Sequence, residues 1–269
     1  MSTFVHPQAI VNPKAELADG VTVGPFTVIE EGVTIGEGTW IAASVSIDRG
    51  ARIGKECKIY QGAILATPPQ DLKYRNEPTV LEIGDRTTVR EYCTLHRATP
   101  ATGVTRIGND CLIMAYSHVA HDCHIGNNVV IANTVQMGGH TVIEDYAIIG
   151  GMSPIHQFVR IGCHSMMGGG WGAGKDVPPY VLAMGRPLSF EKLNTIGLRR
   201  RGFSPETIAS IENAYRILYK SGFNVSDGVR HIEEEIKGVP EVDHIVEFVR
   251  SSSRGIIPWR RRVEGAPEI

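Results

Sequence analysis

The stretch Val21-Thr22-Val23-Gly24-Pro25-Phe26-Thr27-Val28-Ile29-Glu30-Glu31-Gly32-Val33-Thr34-Ile35-Gly36 repeats its pattern every six residues. Followed in both directions, the phase set by Val23 picks out Val11, Leu17, Val23, Ile29, Ile35, Ile41, Ile47, Ile53, Ile59 and Leu65. It resumes at Ile83, Val89 and Leu95, and runs again from Ile107 through Val119, Ile125, Ile131 and Met137 to Met167. Two places earlier stands a small or β-branched residue, such as Val21, Thr27, Val33, Thr39, Ala51 or Ala63. Residues two apart on a strand share a face, so both members of each pair point into a core. The next residue is often Gly or another short type (Gly24, Gly36, Gly54, Ala42), which suits a tight bend. A helical period of 3.6 cannot hold this register. The pattern is the hexapeptide signature of a parallel β-helix, with three hexads to a coil of about 18 residues. Proteins with this repeat wind left-handed, against the usual crossover rule.

Composition sets the remaining bounds. The 269 residues carry a net charge of −2, which gives no general attraction to nucleic acid or membrane. Apolar runs stay far below the length of a membrane span, and the N-terminus lacks the basic and apolar segments of a signal peptide. These features fit a cytoplasmic protein without stable membrane insertion. Five cysteines at 57, 93, 111, 123 and 163 form no CxxC pair, as expected of reduced thiols. The first four occupy the small inward slot of their hexads and read as core filler.

Two segments interrupt the beat, residues 67–80 and residues 97–104. A solenoid gains no stability from such excursions, so both are candidate binding loops. After Asp176-Val177-Pro178-Pro179 the character changes. Ser204-Pro205-Glu206 opens a helix running toward Gly222, a second is expected over 226–237, and a third starts near Pro240. A segment around 189–200 is also expected to be helical. Asn224-Val225-Ser226 matches a glycosylation sequon but reads better as a helix start. The expected organisation is a β-helix over 1–187 and a C-terminal α-helical cap with a tail over 188–269. The tail, from Pro258-Trp259 through Arg260-Arg261-Arg262 onward, reads as loosely ordered.

Chemistry concentrates in Ser117-His118-Val119-Ala120-His121-Asp122-Cys123-His124-Ile125-Gly126. With 18 residues per coil, His121 meets Gly139 and Asp122 meets His140 on the next rung, roughly 4.8 Å away. His121 falls two places after Val119, at a bend, whereas His118 and His124 point out of flat faces. Three readings compete. A zinc site like that of the γ-class carbonic anhydrases requires another histidine spacing. A scaffold would leave the histidines solvated. Acyl transfer would use His121 as general base, with Asp122 orienting its ring and the Gly139 N–H holding an oxyanion.

His118–Cys123 (His-Val-Ala-His-Asp-Cys), Gln70-Asp71-Leu72-Lys73-Tyr74, Ile148-Ile149-Gly150-Gly151-Met152, His156-Gln157-Phe158, Asp176–Tyr180 and Arg200–Ser204 carry a closer resemblance. Over about residues 4–257 the chain resembles the acyl-[acyl carrier protein]–UDP-N-acetylglucosamine O-acyltransferases, which perform the first step of lipid A biosynthesis. The resemblance implies a homotrimer with active sites in clefts between neighbouring prisms. It implies transfer of a 3-hydroxyacyl group from acyl carrier protein to the glucosamine 3-hydroxyl of UDP-N-acetylglucosamine. No metal or diffusible cofactor is implied, because phosphopantetheine arrives on the carrier protein. By motif, His121 is the base, Asp122 its partner and Gly139 the oxyanion donor. Gln70, Asp71 and Lys73 match sugar-nucleotide contacts. His118, His140, His156 and Gln157 match cleft residues, and Asn194, Arg200 and Arg201 match the nucleotide end. Gly169 falls where the family sets acyl length by side-chain bulk, so a glycine implies a longer chain. The chain departs from the family at Arg186, Lys192 and Trp171. The alternatives are the related N-acyltransferase of lipid A synthesis, an acetyl-CoA-dependent acetyltransferase, and a non-enzymatic trimeric scaffold.

Overall fold

The computed structural model describes residues 2–259. Strands of mostly two residues succeed one another through Met167 and assemble into three parallel sheets forming the sides of a prism. The first sheet begins at Phe4–Val5, the second at Ile10–Val11 and the third at Glu16–Leu17, and each has one strand per coil. Neighbouring strands pair in parallel with the beat in register, as in Val23↔Ile41 and Ile113↔Ile131. The aliphatic positions fill the axis: Val23, Ile41, Ile59, Leu65, Ile113, Val119 and Ile131 have no exposure. The small positions are buried beside them, Cys57, Cys93, Cys111 and Cys123 included. Burial pushes the Cys93 and Cys111 thiols up to about 11, which makes them inert packing groups.

The inward threonines are buried polar groups with partners. Thr27 Oγ1 donates to the Ala42 carbonyl and Thr39 Oγ1 to that of Gly54, both at 2.8 Å. Each hydroxyl also accepts a backbone N–H from the coil above, so no desolvated group is stranded.

The bends differ from the sequence expectation. The residue in the left-handed region is not the one after the aliphatic position but the third after it. Phe26, Ser44, Tyr92, Tyr116, Asp122 and His140 all have φ between 56° and 64°. Glycine in the earlier place serves close approach instead. A Cβ on Gly36 would lie 2.6 Å from the Gly54 carbonyl carbon, so the small residue lets successive coils stack.

Both interruptions leave the edge between the second and third sheets. The first joins Ile64–Thr67 to Val80–Ile83, the second Thr94–His96 to Val104–Ile107. Partner residues normally 18 apart become 30 and then 24 apart across them. Both increments are whole hexads, so the beat survives. Arg97, 3% exposed, locks the loops together. Its guanidinium donates to the Ala66 carbonyl at 2.8 Å and to the Tyr74 hydroxyl at 2.9 Å, and lies 3.3 Å from Asp48. Beside it His96 is buried, with no partner for Nδ1 among the described residues. Burial pushes its pKa down to about 4.

Beyond the last coil, Val181–Met184 extends the first sheet and turns back antiparallel through Ser189–Leu193. The expected helix over 189–200 is therefore a strand followed by a short helix, α1 (Thr195–Arg200). Phe190 and Leu193 stand three apart, a helical spacing, yet Ser189–Leu193 pairs antiparallel with the edge offered by Val181–Met184, and tertiary pairing overrides the local pattern. Three helices complete the cap: α2 (Pro205–Lys220), α3 (Val225–Glu235) and α4 (Pro240–Arg250). Ser204 and Asn224 cap α2 and α3 by accepting the Thr207 and Asp227 N–H groups. Asn224 thus stands as the helix start that the sequon position suggested. Among the described residues no helix is long and apolar enough to cross a membrane. Pro258 and Trp259, expected in a loose tail, are tied down. The Pro258 carbonyl accepts from Phe190 N, and the Trp259 ring packs against Phe190 and under Lys220. The expectation for Arg260–Arg262 lies outside the described residues.

Two tests follow from this packing. Ile113→Ala, at a site with no exposure, should lower unfolding free energy by about 2–5 kcal/mol. Ile10→Ala, at the exposed first coil, should change it by no more than about 0.5 kcal/mol in the same urea titration. The depressed pKa of His96 means the unfolded chain binds the proton first. Its burial is therefore harmless above the unfolded value near 6.5, and stability falls as pH drops from there toward about 4. His96→Gln should flatten that decline in urea titrations at pH 7 and pH 5.

Candidate active site

Coil stacking puts three turns of the edge between the second and third sheets in a column. His121, Gly139 and Gln157 take the first turn position, and Asp122, His140 and Phe158 the second. The column is knit by backbone bonds: His140 N donates to the His121 carbonyl and Phe158 N to that of Gly139, both at 3.1 Å. The left-handed turn conformation swings Asp122 back under the loop of residues 97–104, where its side chain is fully buried.

Asp122 is held from three sides. Thr99 Oγ1 donates to Oδ2 at 2.7 Å, Thr102 Oγ1 donates to Oδ1, and the Thr99 N–H adds a longer bond. Burial alone would raise its pKa. The hydrogen bonds from Thr102, His121 and Thr99 outweigh it and hold the carboxyl below the usual carboxylate range. His121 Nδ1 lies 2.7 Å from Oδ2. An ionised carboxylate only accepts, so Nδ1 carries the proton and the neutral ring keeps its lone pair on Nε2. His121 is partly exposed, with 18% of its side chain open, while its orienting carboxylate is sealed away.

The ring lies over Gly139. A Cβ there would sit 2.6 Å from His121 Cε1, so glycine is required by the imidazole and not by backbone strain. The first N–H of each turn takes no part in the backbone ladder between coils. On another edge, side chains such as Asn127 and Asp145 take up these groups. The Gly139 N–H makes no hydrogen bond among the described residues, and it sits beneath the His121 ring. The His121 ring and a free backbone N–H thus meet at one turn of the column.

Other histidines frame this centre. The His140 ring stands edge-on to His121, with centroids 5.5 Å apart, and stacks on Phe158 at 4.6 Å. His118 points out of the second sheet, shares a 2.7 Å hydrogen bond with Thr94 Oγ1, and packs edge-on against His96. Burial lowers the His118 pKa as it does that of His96, so neither adds positive charge beside His121 near neutral pH. His156 and Gln157 continue the column, both exposed, with His156 Nδ1 donating to the Gln157 carbonyl. Gln70 and Lys73 lie exposed on the first loop, which leaves the same edge, and Asp71 caps its own turn through the Lys73 N–H. Leu72 between them is 97% exposed.

The remaining expected residues lie elsewhere on the single chain. Asn194, Arg200 and Arg201 line a groove of about 400 Å³ on the outer face of the first sheet, floored by Ile148, Met166 and Leu182. Asn194 caps α1 and donates to the His164 carbonyl. Arg201 stacks over Tyr146 and keeps one buried guanidinium nitrogen without a partner among the described residues. Lys192, one of the departures, adds a third cation to this groove. Gly169 sits between the first and second sheets, where a Cβ would come 3.0 Å from the Gly151 carbonyl oxygen. Residue-by-residue reading missed Thr99, Thr102 and His96. Their only signal is position: the second loop leaves the coil immediately below the His121 turn.

His121, Asp122 and His140 also bring potential ligand atoms within 4.8 Å of one another. Thr99, Thr102 and His121 already occupy both oxygens of Asp122, however, an arrangement that serves ring orientation better than coordination.

The fold has counterparts among known proteins. A family model described as UDP N-acetylglucosamine O-acyltransferase, domain 2, matches residues 176–257, and one for the bacterial transferase hexapeptide (six repeats) matches residues 105–139. The acyl-[acyl-carrier-protein]–UDP-N-acetylglucosamine O-acyltransferase of Paracidovorax citrulli is 52% identical over 257 residues, which cover 94% of this chain and 98% of the relative. The enzyme of the same name from Alkalilimnicola ehrlichii is 45% identical, covering 95% and 99%. Among solved structures, the UDP-N-acetylglucosamine acyltransferase of Bacteroides fragilis superposes with a TM-score of 0.93 at 44% identity, covering 94% of this chain and all of its own. That of Acinetobacter baumannii gives 0.92 at 41%, covering 94% and 99%. The coil shared with these structures is a left-handed parallel β-helix. Near-complete coverage at such identity, joined to the hexapeptide coil and the helical cap, places this chain in the acyl-[acyl-carrier-protein]–UDP-N-acetylglucosamine O-acyltransferase family.

Proposed function

We propose that the protein transfers a 3-hydroxyacyl group from acyl carrier protein to the 3-hydroxyl of UDP-N-acetylglucosamine, opening lipid A synthesis, with His121 as general base. The observation that carries this reading is the His121 ring, held by a buried Asp122 and lying on Gly139. His121 Nε2 removes the acceptor hydroxyl proton as the oxygen attacks the thioester carbonyl carbon. The oxyanion that forms accepts from the Gly139 N–H. Collapse breaks the carbon–sulfur bond, and the imidazolium returns its proton to the departing thiolate. Asp122 stabilises that imidazolium while remaining ionised. No metal or diffusible cofactor enters this scheme, and the pantetheine thiol belongs to the carrier protein.

The acceptor sits against His118, His140, His156 and Gln157, with Lys73, Gln70 and Asp71 reaching its diphosphate and sugar from the first loop. Asn194, Arg200 and Arg201 take the nucleotide end. The groove of these last three lies on another face of the prism from His121, so the proposal includes a homotrimer whose clefts bring one chain's edge to its neighbour's groove. The protein works in the cytoplasm, where acyl carrier protein supplies the donor. An acetyl-CoA-dependent or N-acyl-transferring relative and a scaffold remain outcomes of the assay, not parts of the scheme.

His121→Ala should lower turnover of 3-hydroxyacyl carrier protein with UDP-N-acetylglucosamine by at least ~10²-fold. Equal turnover by wild type and mutant would reject the mechanism. Gly139→Ala, which displaces the ring, should cost on the order of 10²-fold with the melting temperature nearly kept. Co-expressed His121→Ala and Arg201→Ala chains should regain activity that neither has alone, because mixed trimers contain one intact cleft. Gly169→Met should shift preference toward shorter acyl donors in a chain-length panel, and an unchanged preference would remove Gly169 from the acyl groove.

A further inference from the structure

The edge between the third and first sheets carries two regular columns. In one, Gly36, Gly54, Gly84, Gly108 and Gly126 stack on successive coils. In the other, each turn N–H is taken up by the side chain one coil above: Lys55 N by Asp85, Asp85 N by Asn109, Asn109 N by Asn127 and Asn127 N by Asp145. Both patterns break at the same place. Glu144 stands where the glycine column calls for Gly, and Cys163 stands where the next Asp or Asn is due. Cys163 is also the one cysteine outside the inward core slots.

The break coincides with the docking of α4. Glu144 Oε2 accepts from Cys163 N at 2.9 Å and lies 2.7 Å from His244 Nε2 of that helix. The Cys163 Sγ, the His244 nitrogen and the Glu144 oxygen all lie within 4.8 Å of one another. They face a cavity of about 630 Å³ that Tyr146, His164 and Tyr180 also line. Glu144 is 20% and His244 34% exposed, so an ion can enter from solvent. The Arg160 guanidinium approaches the other Glu144 oxygen at 3.7 Å and offsets part of the negative charge.

We propose that Glu144, Cys163 and His244 bind a zinc-class divalent cation that clamps the helical cap to the β-helix. Thiolate, imidazole and carboxylate on one side of a cavity form the donor set of a tetrahedral zinc site with an open fourth position. Bond lengths of about 2.0–2.3 Å place tetrahedral ligand atoms roughly 3–4 Å apart, a small rotamer adjustment from the observed cluster. Binding releases the protons of His244 and Cys163. Without metal, the same residues form a His244–Glu144 ion pair across the seam.

The test is cobalt titration of the full-length protein after chelation and desalting. Wild type should take up one Co²⁺ with a thiolate-to-metal charge-transfer band and intense visible bands of four-coordination. Zn²⁺ should bleach both and raise the melting temperature. Cys163→Ser should lose the charge-transfer band, and Glu144→Gln and His244→Gln should weaken binding by about 10²-fold or more. His121→Ala should bind as wild type does, which separates this site from the His121–Asp122–His140 group, a set without a thiolate. Absence of the band in wild type, or its persistence in Cys163→Ser, would overturn the proposal. If Cys163→Ser fails to fold, undiminished cobalt affinity in both Glu144→Gln and His244→Gln would do the same.

Discussion

The hydrogen bonds between coils govern everything else in this molecule. Each strand donates to the coil above and accepts from the coil below, as in Leu112 N to the Val129 carbonyl at 2.9 Å. That ladder fixes the rise per coil and therefore the spacing of any two residues one coil apart. Side chains are placed by their phase in the coil and hardly by local conformation. The core follows, since every sixth residue is carried to the axis. So does the site, since His121 is delivered to Gly139 and Asp122 to His140 without a helix or a long loop to position them.

The same constraint explains why chemistry collects at edges. Flat faces present side chains of two-residue strands outward, where His124 stands exposed on the third sheet. A turn instead offers a backbone N–H outside the ladder, a left-handed residue free to fold its side chain back, and a place for the coil to be interrupted. His121, Asp122 and the loop of residues 97–104 use all three. The cost of burying the Asp122 carboxylate is met by hydroxyl and amide donors of that loop, so the loop holds the carboxylate that orients the His121 ring. The first loop is likewise anchored at its base, by the buried Arg97 of the coil above.

Family resemblance and coil geometry agree at the His121 centre by independent routes. The motif His118–Cys123 supplies the likeness, while stacking alone brings Gly139 under the imidazole. Lys192, which the resemblance alone marks as unusual, lies in the cationic groove of the first sheet and away from that centre.

Periodicity was readable from residues alone because the β-helix is built of contacts at one constant separation, and a constant separation is a periodic sequence. The inward slots of Cys57, Cys93, Cys111 and Cys123 and the coil-to-coil neighbour of His121 follow from that rule, and the capping of α2 by Ser204 from a short-range signal of its own. Contacts without a fixed separation escaped it. Ser189–Leu193 became a strand because the preceding strand offered it an edge, Thr99 and Thr102 reached Asp122 across an insertion, and His244 met Glu144 a hundred residues away. Those pairings depend on where loops and helices come to rest against the finished prism, which only the tertiary structure decides.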